Sequence, residues 1–570
     1  MYFPPEPADT DADASSPPFT FTLAVKDNIA TRSPDDSTST TCGSRILQNY
    51  KSPFEATIVT QLRRRGARVV GKTNLDEFGM GSHSLFSHFG GTYERPHDPS
   101  SGSAGSAGAA VSVGGSSGGS SVAVRLGDVD VALGTDTGGS VRLPAAYGGV
   151  VGFKPSYGML SRFGVVPYAN SLDTVGLLAP TVAPIRRLIV GEDPTSKRSE
   201  EQDQTAGLWR ESDVDRDPTS LTLASRLRIA GQRMGYNGET FAPDLRGMTF
   251  GIPLEYNIEE LDPRIRTAWA AAAERLRSLG ATIAAVSLPS TRHALSAYYV
   301  IAPAEAASNL ARYDGVRYGQ IGDLGAEVET ASEAEAKAEP ETKPETTPPT
   351  GEADGEQDEA VLYERVRGAG LGREVQRRIL LGNYVLSSSA RDNYFVQAQR
   401  VRRVIVRDFD AVFRLPNPLR DHKPVGEHQG VYTDDARGHI DLSDLPEGLP
   451  LADKRGPAQV DFLLCPTAPT PAPRVADVEA APSAVDAYIN DVFTVPASLA
   501  GLPAISIPMP AADTGTATEA EAFCPGFQLI GQFFDDARLL QVAETVMTAA
   551  FEQPEDMAAL EKHRKTGVST

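Results

Sequence analysis

Two serines and one lysine are the residues of this chain with the clearest capacity for chemistry. Ser116 and Ser140 lie 24 positions apart, each inside a cluster rich in glycine and small polar residues, and Lys26 lies in the apolar segment 23–29. A serine hydroxyl attacks a carbonyl only when a base removes its proton, and a lysine is that base only if its pKa is lowered by several units. These residues are candidates for a serine–lysine hydrolase. The alternatives are a lysine on an edge strand facing water and a serine that caps a helix.

A different hydrolase arrangement also fits part of this region. Gly114, Ser116 and Gly118 match the G-x-S-x-G turn that holds a nucleophilic serine between a strand and a helix. The segment 111–113 could be that strand, so the motif stays open as a rival. Residues 100–121 contain twenty Ser, Gly or Ala in 22 positions, which also fits a flexible linker, although apolar segments follow the cluster closely. The chain has no Walker A motif and no HExxH, and its eight histidines are scattered, so no metal site is predicted.

The elements that position these residues follow a repeated pattern. Residues 56–65 place Ile58, Val59 and Leu62 on one helical face, and Gly66 then precedes a strand-like segment at 67–71. The same order of helix, glycine and strand recurs at 263–288. Alternation of this kind predicts an α/β fold, in which helices pack on a sheet.

Composition limits the function further. The formal net charge is −21, and residues 326–359 hold twelve acidic residues against two lysines. An acidic chain is a poor candidate for binding nucleic acid alone. No stretch of about 18 apolar residues occurs, so no membrane insertion is predicted. Three widely spaced cysteines do not indicate a disulfide framework.

The expected organisation is one large domain with insertions. Residues 1–18 are acidic and rich in proline, and they resemble neither a secretory signal nor an arginine-rich mitochondrial presequence. We expect a disordered lead-in at 1–18, a domain at 19–550 and a tail at 551–570. Within the domain we expect a disordered acidic insertion at 326–360, a loop insertion at 415–457 and a polar surface loop at 192–222.

Four motifs together resemble the amidase signature family: 24–28 (AVKDN), 71–80 (GKTNLDEFGM), 114–120 (GGSSGGS) and 134–140 (GTDTGGS). The resemblance covers about 19–320 and 362–550. It implies a single amidase-signature domain with a mixed central sheet covered by helices on both faces. It also implies a Ser–Ser–Lys triad, with Lys26 as base, Ser116 as a relay in a cis peptide bond and Ser140 as nucleophile. The oxyanion hole would consist of backbone N–H groups, those of Thr137, Gly138, Gly139 and Ser140.

Four further segments narrow the resemblance to the subfamily of glutamyl-tRNA(Gln) amidotransferase A subunits, and most closely to the mitochondrial form of fungi. They are 157–164 (YGMLSRFG), 171–176 (SLDTVG), 462–469 (FLLCPTAP) and 499–503 (LAGLP). The implied substrate is glutamine, whose carboxylate would bind Arg378 and whose ammonium would bind Asp491. Tyr298 would line the pocket, with Tyr299 as the alternative.

The resemblance also implies a reaction and its partners. Glutamine hydrolysis would supply ammonia to a B subunit, which uses ATP and Mg²⁺ to convert Glu-tRNA(Gln) to Gln-tRNA(Gln) in mitochondria. The chain itself would need no cofactor and would meet tRNA mainly through the complex, with or without a third small subunit. Two other hypotheses remain open. One is a stand-alone amidase that acts on another amide, and the other is a catalytically inactive scaffold.

Overall fold

The part of the chain that the computed structural model describes comprises residues 20–32, 39–94, 110–191, 206–236, 245–315, 318, 364–419, 459–480, 488–510, 524–551 and 560. The strands in these residues are β1 Phe21–Lys26, β2 Ala67–Thr73, β3 Tyr93–Glu94, β4 Val111–Ser112, β5 Val131–Asp136, β6 Val151–Lys154, β7 Thr174–Ala179, β8 Thr249–Pro253, β9 Thr282–Val286, β10 Phe462–Pro466, β11 Ala504–Pro508 and β12 Gly526–Ile530. The helices are α1 Thr57–Arg64, α2 Gly118–Arg125, α3 Arg142–Gly148, α4 Val182–Val190, α5 Leu223–Ala230, α6 Pro263–Ser278, α7 Ala294–Leu310, α8 Glu364–Gly370, α9 Arg373–Leu386, α10 Phe395–Val412, α11 Val475–Glu479, α12 Val495–Leu499 and α13 Asp536–Ala550.

A mixed sheet forms the centre of the molecule. Among the described strands, ten form this sheet in the order β2-β1-β5-β7-β6-β11-β12-β10-β8-β9. The strands β2, β1 and β5 are parallel, as are β10, β8 and β9, whereas the strands between them pair antiparallel. The fold class expected from the sequence, an α/β domain with a mixed sheet, is confirmed.

Helices cover the sheet because its central strands are buried on both faces. Successive side chains of a strand point to opposite faces, and β5 and β7 are buried at every position. On one face, Ala132 and Leu178 pack in a cluster with Ala145 of α3. On the other face, Leu177 packs in the main core, which includes Ile185 of α4. Both layers exclude water from the strands that carry the candidate site.

The register of three parallel strands brings distant motifs together. β1 lies between β2 and β5, with Val25 opposite Leu133. Since parallel strands end at the same edge of a sheet, Lys26 at the end of β1 lies beside the start of the segment 137–140 that follows β5. Helix α2 packs on β1 and β5, and the turn before it carries Ser116.

The two helix-glycine-strand units predicted from the sequence are confirmed. Helix α1 buries Ile58, Val59 and Leu62 before β2 begins at Ala67. Helix α6 begins after Asp262, whose carboxylate accepts the N–H of Arg264 at 2.8 Å as an N-cap. Strand β9 follows this helix.

Other expectations from the sequence are wrong in part or concern residues outside the described ranges. The strand proposed for the G-x-S-x-G turn is only β4, which pairs with β3 outside the main sheet. Of the expected polar surface loop at 192–222, residues 192–205 lie outside the described residues. The described part is not simply a surface loop, since Leu208 and Trp209 are buried and the indole N–H donates to Val190 O. The expected regions 1–18 and 326–360 lie outside the described residues, as do nearly all of 415–457 and of 551–570. None of the helices in the described ranges has the length and apolar content that a membrane-crossing segment needs.

Candidate active site

Lys26 is fully buried, and its amine lies among hydroxyl groups from two other parts of the chain. Nζ is 2.8 Å from Oγ of Ser116, 2.8 Å from Oγ of Ser117 and 3.0 Å from Oγ1 of Thr135. The serines come from the turn before α2 and the threonine comes from β5. The resemblance implied that Ser116 lies beside this lysine, but neither Ser117 nor Thr135 was expected as a further contact.

The position of Lys26 changes its acidity. Burial lowers the pKa of the amine from 10.5 to about 7, although the carboxylates of Asp76 and Asp136 oppose the shift. An amine with a pKa near 7 is neutral in a large fraction of molecules at neutral pH, so it can accept a proton. The alternative of an edge-strand lysine facing water is wrong, because β1 is an interior strand.

The two serine-containing turns meet at this lysine. The backbone N–H of Ser117 donates to the carbonyl of Ser140 at 3.1 Å, and the Gly115–Ser116 peptide bond is cis, as the resemblance implied. Ser116 and Ser117 are buried, whereas Ser140 is partly exposed. Of these serines, Ser140 is therefore the one that a substrate reaches from solvent.

An ion pair closes the turn that carries Ser140. Asp136 and Arg142 are both fully buried and pair at 2.9 Å. Arg142 also donates to the carbonyl of Thr494 at 2.9 Å, and the hydroxyl of Thr494 donates to the carbonyl of Gly138 at 2.7 Å. Gly139 has φ +151, and a Cβ there would lie 2.2 Å from Thr494 Oγ1, so only glycine fits. The turn is thus held from both ends and from one side.

The backbone N–H groups of this turn are available to a ligand. Among the described residues, none offers a hydrogen-bond acceptor to the N–H groups of residues 137–140. The Thr137 hydroxyl instead donates to Asp173 at 2.7 Å, which fixes the start of the turn. Preorganised N–H donors of this kind stabilise the negative oxygen that forms when a carbonyl is attacked. The arrangement suits the oxyanion hole that the resemblance implied.

Arg378 lies in a buried pocket of aromatic rings. Its Nε donates to Glu374 at 2.7 Å, and its Nη1 donates to the Tyr168 hydroxyl at 2.6 Å. The guanidinium also lies over the rings of Tyr299 and Tyr488, at 5.5 and 5.7 Å from their centroids. Within the described part of the chain Nη2 has no hydrogen-bond partner. Hydrogen bonds at Nε and Nη1 therefore orient the guanidinium, and its Nη2 is available to a ligand.

Asp491 is a buried carboxylate near these rings. Ser82 Oγ and Tyr299 OH donate to its Oδ2, at 2.9 and 3.1 Å. No donor from the described residues reaches Oδ1. Burial raises the pKa of Asp491 from 3.8 to about 6, although the bonds from Ser82 and Tyr299 oppose the shift. The carboxylate is still ionised at neutral pH and has one oxygen available for a cation.

The two adjacent tyrosines of α7 contact different parts of the site. A Cβ on Gly138 would lie 2.7 Å from Cζ of Tyr298, so this ring packs against the turn that carries Ser140. Tyr299 instead contacts Asp491 and Arg378. The sequence left open which of the two lines the pocket, and in the structure both do.

A buried carboxylate joins the two halves of the site. Asp173 accepts the Thr137 hydroxyl with one oxygen and the backbone N–H of Tyr168 with the other, at 2.7 and 2.8 Å. Tyr168 in turn binds Arg378. The turn with the candidate nucleophile and the pocket with Arg378 are therefore connected by a series of hydrogen bonds. No group of three or more His, Cys, Asp or Glu in the described residues is arranged to hold a metal ion.

Comparisons with known proteins find similar sequences and structures. A family model described as Amidase matches residues 8–419 and 453–540. The mitochondrial A subunit of glutamyl-tRNA(Gln) amidotransferase from Podospora anserina is 56% identical over 532 residues, covering 92% of this chain and 89% of the relative. The corresponding protein of Neurospora crassa is 57% identical over 541 residues, covering 94% and 91%. The crystal structure of the A subunit from Thermotoga maritima superposes with a TM-score of 0.56 at 30% identity, covering 92% of this chain and 82% of that one.

Proposed function

The chain belongs to the amidase family, and from this premise we propose that it is the glutamine-hydrolysing A subunit of a glutamyl-tRNA(Gln) amidotransferase. The observation that carries the proposal is a pair of opposite charges beside the Lys26 site. Among the described residues, nothing binds Nη2 of Arg378 or Oδ1 of Asp491. A side-chain amide attached to both a carboxylate and an ammonium, as in glutamine, matches this pair. The names of the fungal and Thermotoga relatives support the same function.

In the proposed reaction, Ser140 Oγ attacks the side-chain amide carbon of glutamine. Its proton passes to Ser116 Oγ, and the proton of Ser116 passes to the neutral amine of Lys26. The N–H groups of residues 137–140 stabilise the tetrahedral oxyanion. The proton then returns through Ser116 to the leaving nitrogen, so that ammonia departs and a glutamyl ester remains on Ser140. Water, deprotonated by the same relay, hydrolyses that ester and releases glutamate.

Substrate recognition follows from the two free charged edges. The planar guanidinium of Arg378 is suited to a carboxylate, and its position is already set by Glu374 and Tyr168. Asp491 Oδ1 binds the α-ammonium, while Ser82 and Tyr299 hold the other oxygen. Both groups are buried and held by neighbouring side chains, so they are already oriented for the two charges of the substrate.

The ammonia serves a second subunit in this proposal. A B subunit uses ATP and Mg²⁺ to activate Glu-tRNA(Gln), and ammonia from this chain completes the amide, so the complex acts as a carbon–nitrogen ligase. The chain itself needs no cofactor, and tRNA binds mainly to the other parts of the complex, with or without a third small subunit. The two fungal relatives named above are mitochondrial, and we propose the same location for this protein.

Substitution of Arg378 tests the function against a stand-alone amidase. In Arg378→Ala and Arg378→Lys, kcat/KM for glutamine should fall by about 10- to 100-fold, because a charge-assisted hydrogen bond to the carboxylate is lost or weakened. Hydrolysis of 4-aminobutanamide, which lacks the carboxylate, should change much less. Both activities are measured as ammonia release by the chain copurified with its partner subunits.

The matched control is Arg377→Ala. Arg377 is the preceding residue of the same helix, but its side chain is 46% exposed and bonds to Glu374 and Tyr488. It should affect glutamine hydrolysis far less than either Arg378 substitution. If Arg378→Ala left glutamine hydrolysis unchanged, or if small neutral amides were hydrolysed faster than glutamine, the stand-alone amidase would be the better assignment.

The pKa shifts predict the pH dependence of the reaction. Lys26 acts as the neutral amine and has a pKa of about 7, so kcat/KM should fall by about tenfold per pH unit below that value. Asp491 binds the ammonium as the ionised carboxylate and has a pKa of about 6. Below pH 6 the curve for glutamine should therefore become steeper. For glutaramate, which is glutamine without its α-ammonium, the pH profile of kcat/KM should show only the decrease that begins near pH 7. Equal slopes for both substrates would contradict the role of Asp491.

A further inference from the structure

His83 is a buried histidine that lies between the two parts of the proposed site. Its Nδ1 is 2.9 Å from Oγ of Ser112, and its Nε2 is 3.2 Å from Nδ2 of Asn490. Ser112 precedes the turn with Ser116, and Asn490 precedes Asp491. The ring is 1% exposed. It therefore contacts neighbours of the relay serine on one side and of the ammonium-binding carboxylate on the other.

Two consecutive residues of one segment pair with two consecutive residues of another. Ser82 donates to Asp491 and His83 bonds to Asn490. The next residue, Ser84, donates its hydroxyl to the carbonyl of Gly114 at 2.9 Å. Residues 82–84 therefore connect two segments. Ser82 and His83 bind residues 490–491, and Ser84 binds Gly114 in the segment that leads to Ser116.

The hydrogen bonds around the ring form one directed chain. The Tyr147 hydroxyl donates to Asn490 Oδ1 at 3.3 Å, which leaves the Asn490 amide N–H to donate to His83 Nε2. Nδ1 then carries the proton and donates to Ser112 Oγ, which also accepts the backbone N–H of Gly114 at 3.1 Å. The tautomer is assigned from this network. In this arrangement Nδ1 is a donor bonded to an acceptor, and Nε2 is an acceptor bonded to a donor.

This series of hydrogen bonds requires the neutral form of the His83 ring. Burial lowers the pKa of His83 from 6.5 to about 4, so the imidazole is uncharged at neutral pH. A charged ring would present a second N–H to the amide N–H of Asn490. An uncharged ring next to Asn490 also adds no positive charge that would compete with the substrate ammonium for Asp491.

We propose that His83 is a positioning residue for recognition of the α-ammonium group, an inference that rests on the proposed function. The ring does not touch the substrate. It fixes the Asn490 side chain, and through it the backbone that carries Asp491, relative to the turn with Ser116. Because a carboxylate that is misplaced loses contact with the ammonium but not with the rest of the substrate, His83 acts on the choice of substrate rather than on the chemical step.

Three substitutions of His83 distinguish its hydrogen bond to Asn490 from its hydrogen bond to Ser112. His83→Gln can keep an acceptor for Asn490, His83→Asn can keep a donor for Ser112, and His83→Ala keeps neither. The readout is the ratio of kcat/KM for glutamine to kcat/KM for glutaramate, measured on the full chain with the subunits that copurify with it. We expect the ratio to fall by about tenfold in His83→Ala and His83→Asn, the size of effect that loss of one hydrogen bond produces, and to stay within about threefold of the wild type in His83→Gln.

The outcome is informative even when stability is affected. An equal loss of both activities in His83→Ala, with an unchanged ratio, would overturn the proposal and leave a role in packing only. A ratio kept in His83→Asn and lost in His83→Gln would overturn it as well, since the effect would then pass through Ser112. If His83→Ala does not fold, the comparison of the other two variants decides. Wild-type protein that hydrolyses glutaramate but not glutamine would instead contradict the proposed function itself.

Discussion

Replacement of Ser140 by alanine is expected to abolish glutamine hydrolysis, with kcat lowered by at least about 10⁴-fold, because the hydroxyl that forms the acyl ester in the proposed reaction is removed. Transamidation driven by glutamine should be lost to the same extent. Transamidation driven by added ammonia should persist in the complex, because we propose that the ATP-dependent step belongs to the partner protein. Ammonia release and Gln-tRNA formation measured on one preparation test both statements.

Ser121→Ala provides a matched control for this substitution. Ser121 is buried in the same region, but its hydroxyl donates to the carbonyl of Pro144 at 2.7 Å rather than to the Lys26 relay. It should retain the chemistry that Ser140→Ala loses. Equal loss of the glutamine-driven and ammonia-driven reactions in Ser140→Ala would indicate damage to the complex instead. A serine-directed covalent probe should label the wild type and not Ser140→Ala, and failure to label the wild type would favour the inactive scaffold.

The fold was predictable where the determining interactions are local. A helix such as α1 shows its buried face in the spacing of Ile58, Val59 and Leu62, and α6 shows its start in Asp262 followed by proline. The expectation of a surface loop is wrong for residues 206–222, and this error has the opposite cause. The polar composition of that segment says nothing about Trp209, which is buried and donates its indole N–H to the carbonyl of Val190 in α4. Tertiary contacts decided its place, not local propensity.

Some residues of the candidate site could likewise be predicted from the sequence, whereas others depend on tertiary contacts. Lys26, Ser116 and Ser140 were found from motif residues whose chemistry is specific, and their roles remain predictions that the experiments above test. Ser117 and Thr135 were missed because a sequence shows that two serines are adjacent but not that both hydroxyls reach one amine. Glu374 lies one turn from Arg378 on the same helix, but other partners of Arg378 and Asp491, such as Tyr168 and Ser82, are more than 100 residues away in the sequence. Only the assembled fold brings these residues together.

Two buried lysines show why burial alone does not define a catalytic base. Lys26 and Lys154 are both fully buried, and burial lowers the pKa of each to about 7. Lys154, however, donates to the backbone carbonyls of Pro155 and Leu502, which cannot pass on a proton. Lys26 contacts hydroxyl groups that can. The difference between the two residues therefore lies in their partners and not in their acidity.

Lys26→Met is expected to lower kcat for glutamine hydrolysis by about 10²- to 10⁴-fold, the range usual for loss of a general base. The acid limb of the pH profile near 7 should disappear with it, because no group is left whose protonation stops the relay. Methionine retains most of the apolar volume of the lysine side chain, so the core between β2 and β5 stays filled. The measurement is the pH dependence of kcat/KM, followed with glutaramate to exclude the contribution of Asp491.

Lys154→Met is the matched control, and stability measurements complete the comparison. In the unfolded chain each lysine keeps its proton up to about pH 10.5, whereas in the folded protein each loses it near 7. The unfolded state binds more protons between these values, so each lysine makes the free energy of unfolding rise with pH across that window. Both substitutions should flatten this rise, but only Lys26→Met should remove the acid limb of the rate. If Lys154→Met removed that limb as well, the titration would not belong to Lys26, and the base in the reaction would have to be sought elsewhere.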